Sequence, residues 1–317
     1  MTDRLVAADD RTGSFEVAAW MADAAGPVTV WVGEAGGDGV VDLGTRNESA
    51  EVAVERVRAL PKADWRGHKT DSLLRGNWAA EVRALDARVL LVPAWPEMGR
   101  VCIGGVVHAA GERVGAIRDR LPEAGLLADL DAVRRWLEAG EGVGVADTTT
   151  SEQMHLVAAL LSSVDDVVVA GPAGPIGAAH RARFGGRAAA VCPAPVGPVV
   201  VVNGSASPVA HEQVRRLRAG RPDIEVLSVP EGVDGLRPEV AQAVAAEAVA
   251  SAARASTIVV IGGDTAAALL GEAPRRVGGF AAPGMPWSLE VSGGGPLVIT
   301  KAGAFGGPDA LLALRLP

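Results

Sequence analysis

The stretch LVAADDRTGS, residues 5–14, carries the pattern that decides the fold. The apolar run at residues 5–8 predicts a short buried strand, and residues 13–24 predict a helix that follows it. Two acids, Asp9 and Asp10, lie between these elements. Because open α/β sheets bind ligands at the carboxyl ends of their strands, the stretch predicts an α/β fold with a site at this position.

Short apolar runs alternate with amphipathic stretches along the rest of the chain, which is typical of the α/β class. We therefore expect two α/β domains with mostly parallel central sheets and a cleft between the domains. Further strands are predicted at residues 28–32, 89–92, 142–146, 167–170, 199–202, 224–228, 257–261, 289–291 and 297–300. Further helices are predicted at residues 47–60, 151–161, 208–219 and 238–254, from Thr265 and from Pro308.

The length of 317 residues exceeds that of one ordinary domain and suits two. Residues 192–198, CPAPVGP, contain three prolines, which is typical of a linker rather than of a helix or a strand. We expect the domain boundary here, with an N-terminal domain at residues 1–192 and a C-terminal domain at residues 193–317.

The composition argues against several classes of protein. A net charge of −8 disfavours nucleic acid as a partner, since a protein that binds the phosphate backbone needs a basic surface. The sequence contains no run of about 18 apolar residues, so no transmembrane helix is predicted. Residues 1–4 lead directly into a predicted strand, so no signal peptide is expected. Cys102 and Cys192 lack the spacing of metal ligands and fit reduced thiols. We expect a cytoplasmic protein without nucleic-acid or membrane partners.

The two acids after the first strand have two interpretations. In the functional one, one carboxylate accepts the proton of a substrate hydroxyl, and the other holds Mg²⁺ or a substrate hydroxyl. In the structural one, Asp10 or Thr12 simply caps the following helix.

A second polar segment, KTDSLLRGN at residues 69–77, combines two cations, an acid, a hydroxyl and an amide within nine residues. This set suits a small anion rich in hydroxyl groups, because arginine grips a carboxylate with two hydrogen bonds and lysine acts as a point charge. The alternative is a solvated turn that contains a surface ion pair.

Three turns rich in small residues follow strands in the C-terminal half: residues 203–207 (NGSAS), 262–265 (GGDT) and 300–307 (TKAGAFGG). Each alone fits an ordinary turn, but three at strand ends favour a cradle for nucleotide phosphates. None is a Walker A motif or a dinucleotide-binding fingerprint. The loop at residues 93–100, PAWPEMGR, is interpreted as structural.

Six motifs occur in order between Ala8 and Gly306: ADD-x-TG, K-x-DS-x-LRGN, PA-x-P-x-x-GR, GS-x-S, GGDT and TK-x-G-x-FG. Together they resemble the four-carbon acid sugar kinase family over nearly the whole chain. The resemblance implies a substrate domain followed by an ATP domain. It also implies phosphorylation of four-carbon sugar acids, such as threonate or erythronate, with ATP and Mg²⁺.

The resemblance further implies roles for individual residues. The expected catalytic residues are Asp10, Asp9 and Lys69, and the expected substrate-binding residues are Arg46, Asp71, Ser72, Arg75, Gly76 and Asn77. The expected nucleotide-binding residues are Ser205, Ser207, Gly262, Gly263, Asp264, Thr265, Lys301, Gly303 and Gly306, with Asp264 also as metal ligand. In this scheme Lys69 and Arg75 hold the carboxylate of a small acid, and Asp10 or Asp9 deprotonates its hydroxyl.

Arg11, Ser14 and Leu73 depart from the residues that are usual in the family. Arg11 and Leu73 are expected to border the substrate pocket, so a different acid substrate is an alternative. A shortened, non-catalytic binding or regulatory homologue is a second alternative. An NAD-dependent oxidoreductase is disfavoured by the missing G-x-G-x-x-G motif. A homodimer is expected only because homodimers are common.

Overall fold

Strands and helices alternate along most of the chain in a computed structural model that describes residues 2–186, 190–232 and 238–317. The strands are β1 (Thr2–Ala8), β2 (Val28–Val32), β3 (Gly39–Asp42), β4 (Ala63–Lys69), β5 (Arg88–Leu91), β6 (Arg100–Ile103), β7 (Val106–Ala109), β8 (Glu112–Ala116), β9 (Gly125–Leu127), β10 (Val143–Ala146), β11 (Val167–Gly171), β12 (Val199–Asn203), β13 (Glu225–Ser228), β14 (Thr257–Ile261), β15 (Arg275–Ala282), β16 (Met285–Glu290) and β17 (Leu297–Lys301). The helices are α1 (Arg11–Ala25), α2 (Ala50–Arg58), α3 (Trp78–Ala84), α4 (Leu130–Ala139), α5 (Ser151–Leu161), α6 (Ala173–Phe184), α7 (Pro208–Gly220), α8 (Pro238–Ala252) and α9 (Gly263–Leu270).

Fourteen of the described strands form one continuous sheet, in the order β13-β12-β14-β17-β16-β15-β2-β3-β1-β4-β11-β5-β10-β9. Adjacent strands of this sheet are parallel, except for the antiparallel pairs β2–β15, β15–β16 and β16–β17. The expected α/β class with mostly parallel strands is therefore confirmed. The β2–β15 pair joins the N-terminal strands to the C-terminal ones, and β6, β7 and β8 form a small separate antiparallel sheet.

Local sequence explains where many of these elements begin and lie. β11, β14 and β17 consist mainly of apolar residues and are buried along their whole length, as expected for central strands of a parallel sheet. Asp10 caps α1 by accepting a hydrogen bond from the backbone N–H of Gly13 at 3.1 Å. Thr150 and Gln153 form a capping box at the start of α5.

Two predictions for the C-terminal region were wrong in detail. The strand predicted at residues 289–291 is β16, which begins at Met285 and ends at Glu290. The helix predicted from Pro308 is a turn followed by one short 3₁₀ segment, Leu312–Leu314. Arg315 adopts a left-handed conformation with φ of 47°, which stops any helix at this point.

The antiparallel pairs reverse the direction of the strands between the two halves of the sheet. A flat sheet would therefore put the carboxyl ends of β1 and β14 at opposite edges. Six strand-to-strand steps separate β14 from β1, and at roughly 20–25° per step the sheet twists through roughly 120–150° between them. This twist allows both sets of carboxyl ends to line one cleft.

The proline-rich residues 192–198 lie between α6 and β12, and residues 190–198 contain no helix or strand. The domain boundary expected there stays a prediction. Among the described helices, none is long and apolar enough to cross a membrane.

Candidate active site

The acids that follow β1 form the centre of a charged cluster. Asp9 is buried, and its two oxygens accept hydrogen bonds from Nε and Nη2 of Arg46 at 2.8 and 2.9 Å. Asp10 accepts hydrogen bonds from Thr12 Oγ1 and from Arg46 Nη2, both at 2.7 Å. Lys69, at the end of β4, has its Nζ 3.3 Å from Asp9 and 3.2 Å from Asp10. The parallel pairing of β1 with β4 puts these charges side by side.

Opposite charges set the protonation states in this cluster. Burial alone would raise the pKa of Asp10, but Arg46 and Lys69 hold that pKa well below its usual value. Burial alone would lower the pKa of Lys69, but Asp9 and Asp10 raise it to about 12. Near neutral pH Asp10 is therefore ionised and Lys69 is protonated, so Lys69 acts as a cation and not as a base.

The segment after β4 adds a second ion pair to the cluster. Arg75 donates from Nε and Nη2 to the two oxygens of Asp71 at 2.9 and 2.7 Å, and Arg46 Nη2 lies 3.5 Å from Asp71. Burial alone would raise the pKa of Asp71, but the hydrogen bond from Arg75 and the charge of Arg46 keep it below its usual value. Three acids and three cations thus neutralise one another in this part of the site.

Other charged side chains line the same site without an ion pair to any residue of the described ranges, among them Glu16 on α1, Glu97 and Arg100 at the start of β6. Arg100 donates from Nη1 to the carbonyl of Met98, and its Nε is buried without a hydrogen-bond partner among the described atoms. Burial raises the pKa of Glu16 to about 7, although the nearby charge of Lys69 opposes the shift.

Three turns at the ends of β12, β14 and β17 pack against one another in the C-terminal half. Asn203 holds the first turn, because its side-chain oxygen accepts a hydrogen bond from the backbone N–H of Ser205 at 3.1 Å. A Cβ atom at Gly204 would collide with Thr265, and one at Gly303 would collide with Ser205. The close approach of the three turns therefore requires glycine at both positions.

Lys301, the last residue of β17, is fully buried and donates from Nζ to the carbonyls of Ala302 and Gly303 at 2.8 and 3.3 Å. It forms no ion pair with an acid of the described ranges, and burial lowers the pKa of Lys301 to about 7. Gln213 on α7 donates its amide to the carbonyls of residues 305–307 at 2.9, 3.2 and 2.8 Å. These bonds fix the turn that follows Lys301.

The two halves meet across one cleft of about 800 Å³. A Cβ atom at Gly263, the first residue of α9, would lie 2.9 Å from Asp10 Oδ2 and 3.2 Å from Thr12 Oγ1. The Asn47 amide lies 3.4 Å from Asp264 Oδ1. Burial and the negative charge of Asp10 raise the pKa of Asp264. The cleft therefore brings carboxylates from both halves close enough to repel each other, which favours a cation between them.

Comparison with known proteins shows what this chain is similar to. Residues 4–117 match the family described as a sugar-binding N-terminal domain. A D-threonate kinase of Cupriavidus necator is 33% identical over 201 residues, which cover 51% of this chain and 47% of that kinase. These matches support the resemblance of the chain to the four-carbon acid sugar kinase family. The match spans about half the length of the curated relative.

Solved structures share the fold of this chain. A Salmonella typhimurium LT2 protein, described as a putative tRNA synthase, aligns with a TM-score of 0.80 and 19% identity over 99% of both chains. A Haemophilus influenzae protein of the DUF1537 family aligns with a TM-score of 0.72 and 20% identity over 98% of this chain and 99% of that chain. A Bordetella bronchiseptica DUF1537 protein, described as a domain-swapped dimer with bound citrate, aligns with a TM-score of 0.50 and 23% identity over 99% of both chains.

Most residues that the family resemblance singled out line the cleft: Asp10, Arg46, Lys69, Asp71, Ser72, Arg75, Ser205, Ser207, Gly262, Gly263, Asp264, Thr265, Lys301, Gly303 and Gly306. Asp9, Gly76 and Asn77 do not line it. Asp9 holds Arg46 from behind, and Asn77 donates its amide to the carbonyls of Thr45 and Glu48 at 2.9 and 2.8 Å. The catalytic and binding roles of all these residues stay predictions.

Leu73 lines the cleft as expected, but Arg11 does not. Arg11 is buried, donates from Nε to Asp42 at 2.5 Å and donates from Nη1 to the carbonyl of Gly271 at 2.8 Å. The expectation that Arg11 borders the substrate pocket is therefore wrong. The side chain instead connects the end of β3 to the end of α9 in the other half.

Sequence reasoning missed Glu16 and Gln213, and it interpreted the loop that carries Arg100 as only structural. Glu16 lies four residues after Thr12, and this helical spacing puts both residues on one face of α1, so the pattern contained a usable signal. Arg100 also had a signal, because it ends the PA-x-P-x-x-GR motif. Gln213 had none, because only the folded chain brings it to the turn at residues 302–307.

Proposed function

We propose that the protein is an ATP-dependent kinase that phosphorylates a hydroxyl group of a small sugar acid. The observation that carries the proposal is the single cleft in which the ionised Asp10 lies opposite Gly263 and the three turns of the C-terminal half. A charged cluster suited to a hydroxy acid thereby faces turns suited to phosphate groups. The name of the Cupriavidus necator relative supports the same reaction class.

On the acceptor side, residues 1–192 bind the acid in this proposal. Asp10 accepts the hydrogen bond of the reacting hydroxyl and takes its proton as the phosphoryl group arrives. Its pKa is low for a base, but phosphoryl transfer depends mainly on positioning and charge neutralisation, so a strong base is not required. Asp9 does not line the cleft but forms ion pairs with Arg46 and Lys69. Because both cations also contact Asp10, these ion pairs fix the orientation of Asp10.

On the donor side, residues 193–317 bind the nucleotide in this proposal. The turns that contain Ser205, Gly262 and Gly303 surround the phosphates, together with the N-terminus of α9. Lys301 then supplies a cation from the floor of the cleft, and a bound phosphate would stabilise the protonated form of its amine.

The residues of the cleft fit Mg²⁺ that is held largely by the nucleotide. No group of three or more His, Cys, Asp and Glu side chains in the described ranges could bind a metal by itself. Mg²⁺ in nucleotide sites is usually bound by one or two carboxylates plus substrate phosphates, and Asp264 supplies one such carboxylate near Asp10. When bound, Mg²⁺ neutralises charge on the phosphates that leave and transfer.

The test is an assay of ADP release with ATP, Mg²⁺ and a panel of small sugar and hydroxy acids that includes D-threonate. Wild-type protein should release ADP only when one of the acids is present. Asp10→Asn should lower kcat by roughly 100-fold or more, because general-base and orienting groups typically contribute 10²–10⁴-fold. Lys69→Ala should also lower the rate, since it removes one of the two cations that neutralise Asp9 and Asp10.

Asp129→Asn is the matched control, because Asp129 caps α4 with the same geometry as Asp10 caps α1 but lies outside the cleft. It should keep full activity and lose only the modest stability of a helix cap. ATP binding without turnover on any acid of the panel would contradict the proposal, as would full activity of Asp10→Asn.

A second candidate function is a ligand-binding homologue without catalysis. The observation in its favour is that the match to the curated kinase covers only about half of either chain. Calorimetry with ATP and Mg²⁺ separates the candidates, since a chain that binds the acid but has no affinity for nucleotide fits only the second one.

Assembly and location belong to the same proposal. We propose a homodimer, because the Bordetella bronchiseptica protein of similar fold is described as a dimer. Light scattering coupled to size-exclusion chromatography should then give twice the chain mass of 32.2 kDa. The free thiols of Cys102 and Cys192 and the use of ATP fit a cytoplasmic location.

A further inference from the structure

Five cationic side chains line the cleft: Arg46, Lys69, Arg75, Arg100 and Lys301. The first three are engaged in ion pairs with Asp9, Asp10 and Asp71. Arg75 uses Nε and Nη2 for Asp71, so one edge of its guanidinium is already occupied by a carboxylate. The two cations without an acidic partner among the described residues are Arg100 and Lys301.

These two cations lie in different halves of the chain. Lys301 belongs to the turns on the nucleotide side, whereas Arg100 belongs to the N-terminal half. The proposed reaction brings two anions into the cleft, the polyphosphate of ATP and the carboxylate of the acid. Arg46, Lys69 and Arg75 are already engaged by Asp9, Asp10 and Asp71, so Arg100 and Lys301 are the cations that remain for these two anions. Glu16, Glu97 and Asp264 also line the cleft without an ion pair to a described residue.

The loop that carries Arg100 is rigid. The backbone groups of Trp95 and Arg100 form two hydrogen bonds with each other, at 2.9 and 3.1 Å, and Gly99 closes the turn with φ of 67°. The Trp95 ring is buried and packs edge-on against Trp20 at 6.2 Å between ring centroids. Arg100 is therefore held in place before any ligand binds, and a preorganised guanidinium loses little entropy on binding.

We propose that Arg100 binds the carboxylate of the acceptor and so makes the site specific for acids over neutral polyols. The inference rests on the proposed kinase function and replaces the assignment of that carboxylate to Lys69 and Arg75. Nη2 is the group of Arg100 that remains for the carboxylate, because Nη1 donates to the carbonyl of Met98 and Nε is buried.

Glu16 lines the same cleft, and its carboxyl group is within electrostatic range of Lys69, Asp10 and Arg100 without an ion pair to any of them. In the proposal the carboxylate of the acceptor lies on Arg100 and its reacting hydroxyl lies at Asp10, with Glu16 in the same cleft.

The experiment compares Arg100→Gln with Arg75→Gln in the ADP-release assay, with D-threonate and with threitol, the four-carbon polyol that lacks the carboxylate. Arg100→Gln should raise KM for D-threonate roughly 10- to 100-fold, as expected for a lost hydrogen-bonded charge. KM for ATP should stay unchanged, and the preference for D-threonate over threitol should fall by the same factor. Arg100→Lys should recover part of the loss.

Arg113→Gln is the matched control, because Arg113 is an exposed arginine on β8 of the same small sheet. It should leave all constants unchanged, and similar melting temperatures of the variants will establish that each is folded. An unchanged KM for D-threonate in Arg100→Gln overturns the proposal, and a rise confined to Arg75→Gln assigns the carboxylate to Arg75 instead.

Direct binding separates this inference from the kinase proposal. If the wild type shows no turnover, D-threonate and the rest of the acid panel are titrated calorimetrically into wild type and Arg100→Gln. Binding that Arg100→Gln loses supports the role of Arg100 although the kinase proposal fails. Equal binding by both proteins, or no binding of any acid to the wild type, overturns the role of Arg100.

Discussion

At the scale of single residues, Lys301 shows how burial changes the chemistry of a side chain. In the sequence it is one of three lysines, lies within a turn rich in glycine and is an expected nucleotide-binding residue. In the fold it is fully buried, and with no ion pair to a described acid its pKa falls from 10.5 to about 7. Because the folded-state pKa lies below the unfolded one, the folded state gains stability from this group as the pH rises from about 7 to 10.5.

The same shift predicts how nucleotide binding depends on pH. Bound phosphate favours the protonated amine, so affinity for MgADP should fall as the pH rises from about 7 to 9, by at most about tenfold per unit. Lys301→Met should bind MgADP at least about tenfold more weakly at pH 7 and lose this part of the pH dependence. Calorimetry in two buffers of different ionisation enthalpy should also detect proton uptake by the wild type that the variant lacks.

Lys62→Met serves as the control for this prediction, because Lys62 is exposed and lies outside the cleft. It should match the wild type in affinity and in proton uptake. Identical pH profiles for wild type and Lys301→Met would mean that Lys301 does not contact the phosphates.

Asp9 and Asp10 mark the limit of sequence reasoning at the residue scale. The sequence predicts both at the end of the first strand but cannot separate their roles, because they are adjacent and chemically identical. Consecutive side chains at a strand end point in different directions. Asp9 consequently lies behind the site against Arg46, while Asp10 lines the cleft.

At the scale of elements, α7 stabilises the last turn of the nucleotide side through Gln213. Replacing it with Met removes three hydrogen bonds to carbonyls of residues 305–307 without leaving a large cavity. We expect Gln213→Met to lower the free energy of unfolding by about 2 kcal/mol. It should also weaken nucleotide affinity several-fold, because the turn after Lys301 loses its anchor. Urea unfolding and calorimetry with MgADP measure the two effects.

Gln153→Met is the control at this scale. Gln153 also stabilises a local structure through its side chain, whose oxygen accepts a hydrogen bond in the capping box of α5. It is exposed and lies outside the cleft. It should cost less stability and leave nucleotide affinity unchanged. Unaltered affinity in Gln213→Met would show that the turn keeps its shape without the glutamine.

Strands and helices with a continuous apolar run or a helix cap were predicted well, whereas strands whose apolar pattern is interrupted by polar residues or glycines were not. β2, α5 and β14 have the predicted bounds, because a continuous apolar run or a capping box marks them locally. β4 was not predicted, since ADWRGHK contains few apolar residues, yet it lies between β1 and β11 in the sheet. β15 was missed for a similar reason, because arginines and two adjacent glycines interrupt its apolar pattern.

At the scale of the whole molecule, the buried pair of Arg11 and Asp42 links the two halves through the carbonyl of Gly271. Removing one partner leaves the other charge buried and unpaired, so Arg11→Met or Asp42→Asn should each lower the free energy of unfolding by about 3–5 kcal/mol. The double variant should lose clearly less than the sum, because it leaves no unpaired charge. Urea unfolding of the four proteins gives the coupling.

Arg134→Met is the control, because Arg134 forms an exposed ion pair with Asp131 on α4. That variant should change stability by less than about 1 kcal/mol. Additive effects of Arg11→Met and Asp42→Asn would mean that the pair does not act as a unit in the fold.

The sequence by itself determined the α/β class, the charged segments after β1 and β4, and the three turns of the C-terminal half. These features are local, because they follow from apolar runs, helix caps and glycine positions within a few residues. Only the tertiary structure decided that the two sets of strand ends share one cleft and that Arg11 points away from it. It also decided that Arg100 and Lys301 line this cleft without an ion pair to any described acid. Those facts depend on the twist of a long sheet and on which acids lie within ion-pair distance, and both are set by contacts between residues far apart in the chain.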